Sequence, residues 1–142
     1  MKSQKITLLL VAGLFVTLGV TYSQNRRRQG NGMPRYDAAT EVTMWGTVEG
    51  IESQTGKMGW NGTHLIVRFE AETLTVHLGP SNYLVQQRFS FAKGDWIKVT
   101  GSKIKFEGAN VLVAREIRKA EKVLTLRNRH GIPVWSRNRW RS

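Results

Sequence analysis

From Glu41 onward the chain alternates apolar and polar residues, the repeat of strands with one buried face. In "EVTMWGTVEGIES", Val42, Met44, Gly46 and Val48 share one side, and Trp45, Thr47 and Glu49 share the other. "THLIVRFE" and "ETLTVHLG" continue the pattern, with Leu65, Val67 and Phe69 matched by Leu74, Val76 and Leu78. The two runs meet near Glu70-Ala71-Glu72 and read as a hairpin turning through Glu70-Ala71. If Phe69 pairs with Glu72, His64 falls directly across from His77 on the outer face. "PSNYLVQQRFSFAKGD" interrupts the strands. Pro80 suits a first helical turn, and Tyr83, Leu84 and Phe89 predict a short helical plug. "DWIKVTGSKIKF" is the fourth strand, with Ile97 and Val99 inward and the alternation resuming at Ile104 and Phe106. Gly101, between the two halves, predicts a bend. "EGAN" is a turn and "VLVAREI" a fifth strand, with Val113 inward. "KAEKVLTLRNRHGIPVW" supplies a sixth, with a turn at His130-Gly131.

Three strands, a short helix and two or three more strands predict an all-β fold of OB type. This is a small barrel of five to six strands with a short helix between strands 3 and 4. Closure removes the sheet edges that a small all-β domain must otherwise protect, and it requires strands bent at glycines or bulges. A β-sandwich of similar strand count is the alternative.

"GTVEGIES", "HLGPSNYL", "KGDWIKVTGSK", "VLVAREI" and "LTLRNRHGIPVW" together resemble a family of exported bacterial OB-fold proteins, which often carry a DNA-binding label by fold alone. The resemblance covers residues 42 to 135. It extends more loosely to the periplasmic bacterial OB-fold family of stress-related proteins. The element Gly94-Asp95-x-Ile97-x-Val99-x-Gly101 is common to many OB domains and identifies fold better than function.

The N-terminus bears on compartment. Lys2 and Lys5 precede an apolar run of 15 residues from Ile6 to Val20, followed by Thr21 and Ser23. This is the layout of a secretory signal peptide over residues 1–23, and it predicts a periplasmic or secreted protein. A retained membrane anchor is the alternative, although the run is shorter than the roughly 20 residues a spanning helix needs. No transmembrane span is expected after cleavage. Residues 24–40, with Arg26, Arg27, Arg28 and Arg35, read as a flexible basic linker. Residues 41–135 form the barrel, and 136–142 a basic tail. The chain has no cysteine, so disulfides and thiolate metal sites are excluded.

Charge shapes the functional reading. The 142 residues carry 22 Lys and Arg against 10 Asp and Glu, a net +12 that favours anionic partners. No catalytic residue stands out. There is no Ser/His/Asp or Cys/His pattern, no carboxylate pair spaced for acid-base work, and no phosphate-binding glycine loop. No cofactor is expected. Asn61-Gly62-Thr63 matches a glycosylation acceptor but reads as a turn before a strand. His64 and His77 could hold a soft divalent ion or present donors to an anion. Two ligands are too few for a structural zinc site, so no metal site is assigned.

Arg68, His64 and His77 share the outer face of strands 2 and 3, where OB folds commonly bind extended ligands. Lys98 and Lys103 decorate the fourth strand and Arg115 the fifth. Trp60 lies in the glycine-rich loop beside that face and reads equally well as stacking platform or structural residue. Trp45 and Trp96 read as core. The end of the chain interleaves Arg127, Arg129, Arg137, Arg139 and Arg141 with Trp135 and Trp140. Cation and aromatic together suit nucleic acid, anionic polysaccharide or an anionic surface. The leading expectation is an exported, non-enzymatic OB-fold binding module for an anionic polymer, with nucleic acid among the candidates. The alternatives are an envelope protein docking on an acidic partner, and a stress protein binding a small ligand or metal through His64 and His77.

Overall fold

The alternating segments form six strands in the computed structural model, which describes residues 33–55 and 61–136. The signal-like segment 1–23, Trp60 and the tail residues Arg137, Arg139 and Trp140 lie outside the described residues. The strands are β1 (Glu41–Thr55), β2 (Asn61–Phe69), β3 (Thr73–Pro80), β4 (Trp96–Phe106), β5 (Ala109–Lys119) and β6 (Lys122–Thr125). Helix α1 (Ser81–Gln86) lies between β3 and β4. Among the described residues no helix is long and apolar enough to cross a membrane.

Neighbouring strands run β3-β2-β1-β4-β5-β6, and β3 also pairs with β5 in parallel. That second pairing closes five strands into a barrel and leaves β6 as an added strand. The all-β OB-like architecture, with its short helix after the third strand, is therefore present. Asn61 and Gly62 open β2 rather than forming the expected turn.

The core follows the alternation. Val48, Leu65, Val67, Val76, Leu78, Ile97, Val99, Leu112 and Ile117 are fully enclosed. Leu84 on α1 and Phe89, past its end, join this core, with Tyr83 half-buried against it.

Register shifts interrupt three pairings, β2–β3 between Thr63 and His64 and two on the longer strands. Pairing of β1 with β2 shifts between Val48 and Gly50. The turn before β4 is tied to this bulge, since the Val48 amide donates to the Asp95 carbonyl (2.9 Å) and the Gly94 amide to the Val48 carbonyl (2.7 Å). Pairing of β4 with β5 shifts between Thr100 and Gly101. At Gly101 any Cβ would collide with the Val113 carbonyl. The bend thus needs a glycine for close backbone approach.

The end of the segment read as a linker lies against the barrel. Asp37 caps a 3-10 turn at Ala38–Thr40 and its amide donates to Ser102 Oγ (3.0 Å). The Tyr36 hydroxyl donates to Glu41, and its ring covers Gly131.

Candidate functional site

Two surfaces of the barrel carry chemistry. The first is the outer face of β2 and β3. Their register places His64 directly opposite His77, as the hairpin turn predicted. Glu52 of β1 is opposite His64 in turn, so Glu52, His64 and His77 form one row across three strands. The imidazole centroids are 4.1 Å apart, with planes tilted by 52°, and the Phe106 ring meets His77 edge-on.

A cleft of about 210 Å³ opens over this row, walled by the β1–β2 hairpin with Glu52 and Gln54 and by the β4–β5 hairpin with Phe106 and Glu107. This is the position where OB folds commonly take ligands. A smaller cavity of about 30 Å³, bounded by Pro34, Gly79 and Arg127, reaches both histidines from another side.

Both rings favour the neutral form. Burial, then the neighbouring His64 and Arg127, pull His77 down to about 4. Burial also lowers His64, partly offset by Glu52. Among the described residues, His64 Nδ1 is buried and makes no hydrogen bond.

Arg127, which reads from the sequence as one more cation of the C-terminal run, is instead buried beneath this face. Its Nη1 donates to the carbonyls of Leu78 (3.0 Å) and Ala114, and Trp135 stacks over the guanidinium at 5.2 Å. Burial brings its pKa down to about 10, so it remains charged at neutral pH.

The second surface is the outer face of β1, β4 and β5. Trp45 and Trp96 stand here with 47% and 59% of their surface exposed, which corrects their reading as core. They are diagonal neighbours with centroids 5.8 Å apart and planes 14° from parallel. Lys98 Nζ lies 5.7 Å from the Trp45 ring centre. Arg118 of β5 is opposite Lys98, and Thr47 separates Trp96 from Arg68. Met44, Gly46 and Ile97 occupy the inward phase, so their chain neighbours Trp45 and Trp96 must face out.

Of the strand cations singled out from sequence, Arg68, Lys103 and Arg115 are paired among the described residues, whereas Lys98 and its neighbour Arg118 are not. Arg68 Nε contacts Glu49 at 2.8 Å. Lys103 pairs with Glu72, and Arg115 grips Glu41 with two bonds of 2.9 and 3.0 Å. Lys98 and Arg118 make no ion pair among the described residues. The structure thus gathers Trp45, Trp96, Lys98 and Arg118 on one face and His64 with His77 on another.

Comparison with known families matches residues 40–124 to the MamS/MamX magnetosome protein family. The chain belongs to this family. The match spans the five barrel strands and most of β6, so in this MamS/MamX member it covers both surfaces. A search of curated proteins returned no match. Nothing in these comparisons supports the looser resemblance to the periplasmic stress-protein family.

Proposed function

We propose that this MamS/MamX member is an exported, non-enzymatic binding module that holds an extended anionic polymer on the outer face of β1, β4 and β5, and that it serves the magnetosome named by its family. The observation that carries this reading is the stacked, solvent-facing Trp45–Trp96 pair with Lys98 beside it. Two adjacent exposed tryptophans forgo burial that a barrel of this size could use, and such surfaces commonly mark contact sites. Aromatic faces stack on bases or sugar rings, while Lys98 and Arg118 supply charge for phosphate or carboxylate groups. The basic residues 136–142 extend the same charge along the chain. The β2–β3 face, with Glu52 and Glu107 at its rims and two neutral imidazoles at its floor, suits a polyanion less well.

Single-stranded DNA and an acidic polysaccharide, each titrated at several salt concentrations, test the reading. Binding should weaken steeply as salt rises. Failure of both polymers and of an acidic protein to bind at about 50 mM salt, where charge contacts are strongest, would overturn it.

A further inference from the structure

We propose that His64 and His77 form a binding site for a first-row divalent transition-metal ion at the floor of the β2–β3 cleft, with Glu52 closing on the ion as a third ligand. This site is separate from the tryptophan face.

The argument begins with register. Three residues with nitrogen or oxygen donors occupy one row across β1, β2 and β3, and the strand backbones fix the two imidazoles side by side. Rings whose centroids lie 4.1 Å apart can be opened by χ rotations that aim one nitrogen each at a shared point, with metal–imidazole bonds of about 2.0–2.1 Å. The second consideration is the unmet hydrogen-bonding capacity at the pair. His64 Nδ1 is buried without a partner among the described residues, and a buried polar atom in that state is uncommon. A metal bond would satisfy the ring.

Space and protonation agree with this. The 210 Å³ cleft reaches both rings, so an ion can enter and retain waters. The rings are held neutral by burial, the form that ligates. The donor set, two imidazoles and a carboxylate, suits borderline ions such as Zn²⁺, Co²⁺ and Ni²⁺ more than Mg²⁺ or Ca²⁺.

Two features oppose binding. No three His, Asp or Glu side chains among the described residues converge on one point as placed. Glu52 is exposed and in no ion pair among those residues, so a rotamer change is what brings it in. Arg127 adds a positive charge nearby, but two backbone carbonyls and the Trp135 ring already engage it.

Isothermal titration of the untagged full chain with ZnCl₂, NiCl₂ or CoCl₂ tests the site. One ion per chain should bind in the micromolar range. His64→Ala and His77→Ala should each weaken it at least about tenfold, and Glu52→Gln by several-fold. His130→Ala, which removes the one other histidine in the chain, should change nothing. Because His77→Ala could disturb the barrel, Co²⁺ is also added to the unaltered chain and followed by NMR. Paramagnetic broadening should centre on residues around His64 and His77. Broadening centred on His130, absence of binding, or full affinity in a folded His64→Ala/His77→Ala double variant would each overturn the proposal.

Discussion

Trp45 and Trp96 show what a single position can reveal. The alternation that puts Met44 and Ile97 inside also puts these two residues outside, so their exposure was legible from phase alone. The habit of tryptophan to be core in small barrels obscured it. Because stacking does not depend on salt, Trp96→Ala should weaken polymer binding by about 1–3 kcal/mol with the salt slope unchanged. Lys98→Gln should instead flatten the slope. Titrations at three or more salt concentrations separate the two effects. Arg127 is the opposite case, because no sequence signal distinguishes it from the exposed arginines that follow. Its burial depends on the chain folding back after β6, where Arg127 bridges to Pro133 and the Asn128 side chain accepts from the His130 and Ile132 amides. Arg127→Met should leave the Leu78 and Ala114 carbonyls unpaired and cost about 3 kcal/mol, measured by urea denaturation.

At the scale of elements, the β2–β3 hairpin was readable because a two-residue turn at Glu70-Ala71 fixes register and a one-residue slip would expose Leu65, Val67, Leu74 and Val76. The ion pairs were not readable, since Glu41 and Arg115 meet only after β1 and β5 have each found their neighbours. The bend at Gly101 lies between these extremes: the glycine was visible, but the carbonyl it packs against was not. Gly101→Val should destabilise by more than about 2 kcal/mol, because the obstacle is backbone and cannot rotate away. The histidine row makes stability depend on pH. In the unfolded chain His77 takes up a proton near pH 6.5, whereas in the fold it resists protonation down to about 4. Its contribution is therefore fully present above about pH 6.5 and is lost as pH falls from there toward 4. The loss should be of order 1 kcal/mol once solvent screening of the partly exposed ring is allowed for. Glu41, held low by its bonds from Arg115, and Asp95, held low by the Ala92 amide, add their losses only in more acidic solution. Denaturation curves between pH 7 and 4.5 should show the slope, and His77→Gln should reduce it, leaving the smaller share of His64.

At the scale of the whole barrel, the described strands form two antiparallel meanders, β1–β2–β3 and β4–β5–β6, joined along β1–β4 and again by three parallel pairs, Thr75 with Val111, Val76 with Leu112 and His77 with Val113. Both junctions must form for the ring to close, and with three pairs against seven the parallel seam is the shorter of the two. A pairing of only three residues has little to hold it and is expected to be among the first to open. His77 lies in that seam. Anything it holds therefore grips the shorter junction of the barrel, and its effect belongs to the rate of opening. In stopped-flow experiments a ligand at His77 should slow unfolding while leaving refolding nearly unchanged, as expected for an interaction absent from the transition state. The cleft would then act as a clasp, setting how long each copy of the barrel stays closed.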